Sequence, residues 1–489
     1  MTLNAPNFRY RPRPKTFTSA PHTVASACRF GNVASDLEAL RLHTEYLAIN
    51  ALKTNPRHAR KHSTQAIEKL TASMRNMGFI VPLIVNADGM ILAGHGRYRA
   101  AQKLGLKDVP VIRVHHLTEA MQRAYALADN KLAELGCWDD ELLRIELQAL
   151  IEIETTDVDF QCEFTGFSTA DIDIALATPG SAGSDDECDP EPALQRIAIT
   201  RRGDLWWLGR HRVICGDSMQ RSVYEALLGS DRAQIVIADP PYNVPIDGYV
   251  GGLGKHKHRE FAMASGEMTS AQFTAFLTGS FALLKAFSND GSLHYQFMDK
   301  KHIAEILAAG TAVYDECKDM LVWVKTNAGM GSLYRSQHEL IFLFKHGTAP
   351  HVNNIRLGAT GRYRTNVLTY AGANTFRPDR DDDLAAHPTP KPVGLIADLL
   401  RDTSRRHDLV LDNFGGGGTI LMAAERTGRR AALIEIDPLY VDATVRRWQR
   451  KTGLPARLAA TGETFTAVEQ RRCQDATCVM SEEAAHEPA

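Results

Sequence analysis

Between residues 196 and 455 the chain alternates short apolar runs with helical stretches, and this alternation constrains its fold more than any other feature. The runs are almost continuously hydrophobic, as in strands that are buried on both faces of a sheet. Helical stretches such as 270–287 and 392–404 separate most of them, which is typical of a mainly parallel α/β sheet covered by helices. The runs 320–324 and 339–344 have no helix between them and predict a hairpin at one edge. The seven runs are 212–215, 235–237, 292–297, 320–324, 339–344, 409–411 and 431–434.

The remaining sequence predicts a second, smaller domain and three segments without a core. The length of 489 residues exceeds what one ordinary hydrophobic core supports. Mixed α/β patterning extends over residues 41–177, where we expect a compact domain. Residues 178–195 are small, acidic and rich in proline, which is typical of an extended linker before the larger domain at 196–455. The basic segment 1–40 and the Ala/Glu-rich segment 456–489 are expected to be disordered.

Composition excludes several classes of protein. The formal net charge is −2, which excludes a histone-like polycation but not local basic patches. The eight cysteines include no CxxC pair and no Cys/His cluster at zinc spacing, so we expect a reducing compartment and no metal site. No apolar stretch approaches the ~18 residues of a membrane span, and the start lacks the apolar core of a secretory signal. The sequence therefore predicts a soluble, cytoplasmic protein.

The segment Asp239-Pro240-Pro241-Tyr242 follows one of the apolar runs and predicts a site for an amino group. Consecutive prolines fix φ and remove two N–H donors, so neighbouring carbonyl groups face outward as acceptors. An exocyclic amino group is a poor nucleophile because its lone pair is delocalised into the ring. If Asp239 accepts one N–H and the Pro240 carbonyl accepts the other, the nitrogen becomes the tetrahedral nucleophile that a methyl transfer needs. Tyr242 offers a flat face for stacking on an extruded base, a contact worth roughly 1–3 kcal/mol. The alternative is a proline-rich surface turn, but the carboxyl end of a buried strand is where α/β sheets bind ligands.

A run of four glycines after Asp412 predicts a site for a nucleoside cofactor. Residues 415–418 lead into Thr419 and an apolar helix, so backbone N–H groups can approach a ligand closely at the helix start. About twenty residues later the next strand ends at Glu435, where an acid can accept the hydroxyl groups of a ribose. A flexible glycine turn is the alternative, against which the spacing to Glu435 argues. The phosphate-binding pattern GxxxxGK[ST] is absent, which favours a nucleoside without phosphate chemistry.

With a third motif at 387–392 (His-Pro-Thr-Pro-Lys-Pro), these features resemble the amino-group DNA methyltransferases in which the catalytic motif precedes the cofactor motif. The resemblance covers residues 196–455, although the family carries Gln in place of Pro390. It implies S-adenosylmethionine as methyl donor, no metal in the transfer, and a sheet of seven strands with one reversed edge strand. It also implies that residues 239–242 are catalytic. The implied cofactor-binding residues are Asp217, Lys391, Asp412, Phe414, Gly415, Gly416, Gly418, Thr419 and Glu435.

The first residue of the catalytic motif indicates the target base. In the family that the chain resembles, Asp at the position of Asp239 is typical of adenine N6, Ser is more frequent in enzymes that act on cytosine N4, and Asn marks protein or RNA targets. We therefore expect methylation of adenine N6 within a short duplex sequence, by direct displacement on a flipped base. Cytosine N4 is the alternative target. A restriction-modification role fits such an enzyme, but the chain carries no endonuclease signature.

Two segments are expected to contact double-stranded DNA and to associate the protein with the nucleoid. The stretch 244–261 is rich in glycine and basic side chains, which predicts either a mobile surface loop or a basic flap over phosphates. Residues 350–385 lie where the resembled family has its target-recognition region, and Arg is a side chain that reads base edges. The candidate DNA-binding residues are Lys255, Lys257, Arg259, Arg356, Arg362 and Arg364.

Residues 41–177 resemble the ParB-like N-terminal domain of partition proteins. The resemblance rests on 55–57 (Asn-Pro-Arg), 78–82 (Gly-Phe-Ile-Val-Pro), 93–101 (Ala-Gly-His-Gly-Arg-Tyr-Arg-Ala-Ala) and 129–131 (Asp-Asn-Lys). It implies a DNA-binding or clamp-like accessory role, which is an analogy at the level of the fold.

The glycine box of this domain, with Gly94, Arg97 and Arg99, is a candidate anion site. In partition proteins the box is typically Gly-Glu-Arg-Arg and helps to bind cytidine triphosphate, whereas this chain has His95 and Gly96 in the middle. The loss of the acid argues against triphosphate hydrolysis. A glycine turn with two arginines at a helix start suits a nucleotide or a DNA phosphate, and the alternative is a tight turn with solvated arginines. A DNA-binding regulator whose methyltransferase half only senses cofactor is a second hypothesis for the chain, and homodimerisation stays open.

Overall fold

The computed structural model describes residues 42–156, 160–176, 197–244, 266–328, 333–355, 364–372 and 391–484, together with Leu194 and Ala264. The chain divides into two compact units between Cys137 and Trp138. The expected leader 1–40 lies outside the described residues. So does the expected linker 178–195, apart from Leu194. The domain boundaries inferred from the sequence therefore stay predictions.

The first unit is a small mixed sheet with helices. Its strands β1 (Thr44–Ala48), β2 (Leu83–Asn86), β3 (Ile91–Ala93) and β4 (Asp108–Val114) are arranged in the order β1-β4-β2-β3, with β2 and β4 parallel. Its helices are α1 (Thr64–Met77), α2 (His95–Leu104) and α3 (Glu119–Ala133), and a 3-10 turn covers Ile49–Ala51. The Ser63 side chain accepts from Ala66 N and begins α1, and Gly78 ends it with φ +84°. Apolar side chains of α1 and α2 pack on the sheet and form the core of this unit.

The second unit is a large sheet flanked by helices. It begins with α4 (Asp140–Thr156), a 3-10 turn (Cys162–Thr165) and α5 (Thr169–Ala175). The other helices are α6 (Arg221–Leu228), α7 (Ser270–Ala286), α8 (Ile303–Val313), α9 (Val393–Thr403), α10 (Thr419–Thr427), α11 (Pro438–Thr452) and α12 (Phe465–Ala484), with a 3-10 turn at Lys300–His302. The strands are β5 (Leu205–Leu208), β6 (His211–Cys215), β7 (Ala233–Ala238), β8 (Ser288–Met298), β9 (Glu316–Lys325), β10 (His338–Lys345), β11 (Val367–Tyr370), β12 (Leu409–Asp412), β13 (Arg430–Glu435) and β14 (Arg457–Leu458).

The sheet of the second unit brings the ends of several strands to one edge. Its order is β11-β9-β10-β8-β7-β12-β13-β6-β5-β14. The strands β8, β7, β12, β13 and β6 are parallel neighbours, so their carboxyl ends share one edge. β10 runs in the opposite direction between β8 and β9, and its first residues therefore reach that edge too. Hydrophobic side chains cover both faces of the sheet, as the continuous apolar runs predict.

The predicted fold class is confirmed, and two details differ. All seven apolar runs form strands, which are β6 to β10, β12 and β13. In the described part of the chain the sheet has ten strands rather than seven, because β5, β11 and β14 extend it on both sides. The reversed strand β10 is not the edge strand that the resemblance implied, since β9 and β11 pair beyond it. β5 is a second reversed strand, antiparallel to β6.

Residues 456–489, for which we expected disorder, carry β14 and α12. Phe465 is 1% exposed and Val468 is 0% exposed, so the start of α12 belongs to the core. The Phe465 ring packs on Trp206, with 5.1 Å between the ring centroids. Two apolar residues in a polar stretch make a periodic pattern too weak to predict a helix. Residues 485–489 lie outside the described residues.

Across the ranges that the structure describes, no helix is both long enough and apolar enough to cross a membrane.

Two buried carboxylates join helices α4 and α5 to the sheet. The Arg429 guanidinium, 0% exposed, donates to both carboxylate oxygens of Asp173 at 3.0 and 3.3 Å and to two backbone carbonyl groups. The Glu154 carboxylate, also buried, lies 2.7 Å from Nε2 of His407. Arg429 directly precedes β13, and His407 lies two residues before β12. The helical segment is therefore held at the end of these strands that lies opposite their carboxyl ends.

Candidate active site

Two acids follow neighbouring strands at the carboxyl edge of the sheet. Asp239 comes directly after β7, and Asp412 is the last residue of β12. β7 and β12 are parallel, with Ile235 opposite Val410 and Val236 opposite Leu411. The catalytic and cofactor motifs that the sequence analysis singled out are therefore brought together at one edge.

Both carboxylate oxygens of Asp239 accept hydrogen bonds. Oδ1 accepts from the hydroxyl of Tyr242, and Oδ2 accepts from Lys391 Nζ at 2.6 Å. The Lys391 side chain is 5% exposed, and its ammonium lies 5.5 Å from the centroid of the Tyr242 ring. Burial, together with the charges of Asp239 and Glu339, raises the pKa of Tyr242 well above its ordinary value, so its hydroxyl stays a donor. The resemblance implied a cofactor role for Lys391, whereas the structure brings it to Asp239.

Two residues that the sequence analysis missed complete a row of alternating charges. Lys391 Nζ lies 3.3 Å from Glu339 Oε2, and the other oxygen of Glu339 accepts from Lys325 Nζ at 2.5 Å. The order is Lys325, Glu339, Lys391, Asp239, and we call these four residues the charge row. Burial lowers the pKa of Lys391, but the charges of Asp239 and Glu339 outweigh it and raise that pKa above its ordinary value. Burial raises the pKa of Glu339, but Lys391 and Lys325 outweigh it and hold that pKa below its ordinary value.

The hairpin of β9 and β10 positions Lys325 and Glu339. Lys325 ends β9, Glu339 is the second residue of β10, and the register places Glu339 opposite Trp323. A signal for this pair existed in the sequence, because a basic residue closes one apolar run and an acidic residue opens the next. Opposite charges on the two sides of a predicted hairpin turn are expected to lie close together.

The glycine loop is held by an acid of the neighbouring strand. One carboxylate oxygen of Glu435 accepts from Gly416 N at 2.8 Å, and the other accepts from Asp437 N at 2.8 Å. Gly418 precedes α10 in the left-handed conformation, with φ +77°, and a Cβ there would lie 2.6 Å from Thr444 Cγ2. Burial raises the pKa of Glu435 to about 7. A carboxylate offers about four acceptor sites, so two backbone donors leave room for a hydroxyl ligand.

Asp412 presents a buried acceptor that has no hydrogen-bond partner among the residues described. Its side chain is 0% exposed, Oδ1 accepts from Phe414 N at 2.9 Å, and Oδ2 accepts from no donor. Burial raises the pKa of Asp412 well above its ordinary value, and the charge of Asp239 adds to the effect. The next residue, Asn413, was missed by the sequence analysis, and its Oδ1 is likewise buried without a partner in the described structure. Unpaired buried acceptors are costly, and they indicate a ligand that carries donors.

The other predicted cofactor residues lie near the carboxyl ends of β12, β13 and β6 or at the start of α10. Asp217 follows β6, which neighbours β13, and Gly216 N donates to Glu435 O at 2.8 Å. Phe414 is partly buried in the core, and Thr419 is the first residue of α10. Apart from Lys391, the predicted set is therefore carried by the carboxyl ends of β12, β13 and β6. In the part of the chain that the structure describes, no group of His, Cys, Asp and Glu side chains could hold a metal ion.

Three family models match the chain, one after another. They are the ParB N-terminal domain over residues 34–131, the ParB-methyltransferase HTH domain over 141–202, and DNA methylase over 233–446. The chain is a ParB-like domain fused to a DNA methyltransferase of the N6/N4 type. Both resemblances found in the sequence are confirmed. The HTH match was not predicted, because residues 141–177 were expected to belong to the ParB-like domain.

Curated relatives of this ParB-like methyltransferase each match one part of it. The ParB-like nuclease domain-containing protein YnaK of Escherichia coli is 34% identical over 83 residues, which are 17% of this chain and 95% of YnaK. The type II methyltransferase M.HpaI of Haemophilus parainfluenzae is 26% identical over 251 residues, 48% of this chain and 73% of M.HpaI. Stage 0 sporulation protein J of Bacillus subtilis is 36% identical over 114 residues, and this chain spans only 40% of that protein. A solved complex of M1.HpyAVI with SAM has a TM-score of 0.35 and 19% identity, covering 48% of this chain and 98% of M1.HpyAVI.

The DNA-binding side chains expected in the methyltransferase mostly lie outside the described residues. These are Lys255, Lys257, Arg259, Arg356 and Arg362.

Arg364 is described, and its charge is balanced inside the protein. Its guanidinium forms ion pairs with Asp398 and, at 3.4 Å, with Asp402. Burial lowers the pKa of Arg364, but these two carboxylates outweigh it and raise that pKa. A base contact by Arg364 would break these pairs, and its DNA-binding role stays a prediction.

The expected anion site of the ParB-like domain is partly engaged in contacts of its own. Gly94 is left-handed, with φ +98°, and begins α2 as expected of a tight glycine turn. Arg97 is half-buried and donates to the Pro82 carbonyl at 3.2 Å, whereas Arg99 is exposed. Burial lowers the pKa of His95 to about 4, so this imidazole is neutral at pH 7. The anion role of Gly94, Arg97 and Arg99 stays a prediction.

Proposed function

We propose that the chain transfers the methyl group of S-adenosylmethionine to the N6 amino group of adenine in a short duplex DNA sequence. The proposal rests on one observation: Asp239 directly follows β7, Asp412 ends the adjacent parallel strand β12, and both therefore lie at the same sheet edge. An acid that can hold an amino group thus lies beside a glycine loop that suits a nucleoside. Adenine rather than cytosine follows from Asp239 at the head of the catalytic motif, where the resembled family uses Ser more often for cytosine.

The residues at the glycine loop fit S-adenosylmethionine. Asp412 Oδ2 is a buried acceptor without a hydrogen-bond partner in the described structure, and the lack of a Cβ at Gly418 lets the loop pack against Thr444. We assign the ribose hydroxyl groups to Glu435, whose oxygens keep acceptor capacity beside their backbone donors. The full set proposed to hold the cofactor is Asp217, Asp412, Phe414, Gly415, Gly416, Gly418, Thr419 and Glu435. When bound, the cofactor would supply a sulfonium methyl group: the N–C bond would form as the S–C bond breaks and leaves a neutral thioether, and the proton lost from the nitrogen would pass to solvent.

The catalytic motif orients the amino group for this displacement. Asp239 accepts one N–H and the Pro240 carbonyl accepts the other, which directs the nitrogen lone pair out of the ring plane. Pro241 has no N–H that could compete for these acceptors. Tyr242 leaves Asp239 Oδ1 when the flipped base enters, and its ring then stacks on the base. No covalent enzyme intermediate is needed, since the nucleophile is the amino group itself.

Mass spectrometry of nucleosides from DNA methylated by the purified protein tests the proposal. We expect N6-methyladenine, and N4-methylcytosine as the product would overturn the adenine assignment while leaving the methyltransferase intact. Asp239→Ala should abolish the product and keep cofactor binding, which calorimetry measures. Unchanged methylation by Asp239→Ala would overturn the role of the motif.

The finer expectations for partners belong to the same proposal. Single-molecule sequencing of DNA from cells that express the chain would return the modified base together with the recognition sequence. A nucleotide at the ParB-like domain and a homodimer are testable with the same protein, by calorimetry with cytidine triphosphate and by sedimentation. A restriction-modification role would also require a nuclease activity.

A further inference from the structure

The charge row contains two residues to which the proposed reaction gives no role. Glu339 and Lys325 are not in contact with Asp239, yet Glu339 lies 3.3 Å from the ammonium that donates to it. The Glu339 side chain is only 11% exposed, and that of Lys325 is 26% exposed. Two carboxylates and two ammonium groups in this order balance one another, which is what partly buried charges require.

The surroundings of Lys391 explain what a second carboxylate does there. The ammonium faces Asp239 and Glu339, and it also lies over the rings of Tyr242 and, at 5.4 Å, Phe297. A lysine ammonium is a compact charge on a flexible stem, so a single partner would let it move between the two oxygens of Asp239. The contact with Glu339 opposes that movement and keeps the ammonium at Oδ2.

We propose that Glu339 is a positioning residue for methyl transfer: it holds the Lys391 ammonium on Oδ2 of Asp239 and so reserves Oδ1 for the amino group of the target base. The proposal rests on the proposed function, because it needs Asp239 to accept from the base. Oδ1 is bound by the Tyr242 hydroxyl in the structure, and a base that displaces this hydroxyl finds one acceptor in a fixed place. Lys325 neutralises the far oxygen of Glu339 and keeps Glu339 anionic.

Glu339→Gln tests the positioning role. A misplaced catalytic group costs up to about a hundredfold in rate, so we expect kcat to fall about tenfold to a hundredfold. KM for DNA and for S-adenosylmethionine should change little, because Glu339 contacts neither in the proposal. Glu305→Gln is a matched control, since Glu305 has the same 11% side-chain exposure but pairs with His302 away from the charge row. Glu339→Asp should recover part of the lost kcat.

The pH profile separates positioning from support of the fold. Further ionisable groups act on this region, namely Asp412 beside Asp239 and Asp299 near Tyr242, and they are common to all variants. The charge of Glu339 raises the pKa of Lys391, so its removal lowers that pKa. The alkaline limb of kcat should then move to lower pH in Glu339→Gln. Lys325→Gln removes a nearby positive charge and should move the same limb to higher pH.

NMR spectroscopy tests the effect of Glu339 on the pKa of Lys391 without an activity assay. In protein labelled with ¹³C at lysine, the Cε resonance that disappears in Lys391→Met reports the titration of Lys391. We expect a lower pKa for it in Glu339→Gln than in the wild type, and thermal unfolding shows whether each variant is folded. Wild-type kcat and an unmoved alkaline limb in folded Glu339→Gln would overturn the proposal. An unchanged Lys391 titration in Glu339→Gln would overturn the proposed interaction between Glu339 and Lys391. If the wild type methylates no DNA, it is the proposed function that fails.

Discussion

Single residues at this edge differ in how burial and neighbouring charges set their protonation. Glu339 and Lys391 are buried but paired, and opposite charges keep both ionised. Asp412 is buried and Glu435 is partly buried, neither forms an ion pair with a residue that the structure describes, and burial raises the pKa of each. The cofactor side of the site is therefore the side that responds to pH near neutrality.

Affinity for S-adenosylmethionine should rise with pH through Glu435. Its pKa is about 7, so the side chain is mostly protonated at pH 6 and mostly ionised at pH 8. Only the carboxylate can accept from both ribose hydroxyl groups, so we expect about tenfold tighter binding at pH 8 than at pH 6. Calorimetry at the two values measures this. Glu435→Gln should bind S-adenosylmethionine weakly, with the same affinity at both pH values. A wild-type affinity that does not change between pH 6 and pH 8 would contradict the assignment of the ribose hydroxyl groups to Glu435.

At the scale of helices and strands, the sequence predicts those strands whose hydrophobic residues are adjacent in the chain. The apolar runs that became β7 and β12 are central strands, and their hydrophobic residues are adjacent in sequence. β11 and β14 are short outer strands whose pairing depends on neighbours far along the chain, so no local pattern predicts them. The residues of the candidate active site also differ in whether a local sequence motif predicts them. Asp239, Asp412 and Glu435 follow predicted strands within local motifs, whereas Glu339 joins the site only through the pairing of β10 with β8 and β9.

The turn before α10 allows a matched pair of glycine substitutions. Gly418 and Gly453 are both left-handed, with φ +77° and +71°, but a Cβ would meet Thr444 only at Gly418. An alanine in this conformation costs roughly 1–2 kcal/mol wherever it stands. Gly453→Ala should therefore lose about that much stability and keep cofactor binding. Gly418→Ala should lose more stability and also weaken cofactor binding, because the glycine loop must shift.

Urea unfolding and calorimetry with S-adenosylmethionine measure the two effects of each glycine substitution. Equal losses in Gly418→Ala and Gly453→Ala would show that the contact with Thr444 is relieved without moving the loop.

At the scale of the whole chain, acidic residues attach the segment 139–176, most of which lies within the HTH match, to the methyltransferase sheet. Between residues 139 and 176 there are eleven Asp and Glu residues, and Arg144 is the only Lys or Arg. Such a segment repels DNA phosphates. Two of its acids, Glu154 and Asp173, pair instead with basic residues at the starts of β12 and β13. The structure thus gives this segment a role in binding the sheet.

Asp173→Ala should destabilise the methyltransferase strongly. It leaves the Arg429 guanidinium buried without its carboxylate, a change that costs about 3–5 kcal/mol for a buried pair. Glu141→Ala is the control, because its ion pair with Arg144 is exposed, and it should change the free energy of unfolding far less. Urea denaturation followed by fluorescence compares them. A loss in Asp173→Ala no larger than in the control would show that Arg429 finds other partners.

The ion pair between Asp173 and Arg429 also determines where the chain can be cut to isolate a methyltransferase. A fragment that starts at 196, where the family resemblance begins, would lack the carboxylates of Asp173 and Glu154 that pair with Arg429 and His407. A fragment that starts at Trp138 keeps both of these carboxylates. We expect the longer fragment to be recovered as a monodisperse species in size-exclusion chromatography and the shorter one to aggregate. The smallest autonomous methyltransferase in this chain would then include the helices that its motifs alone would leave out.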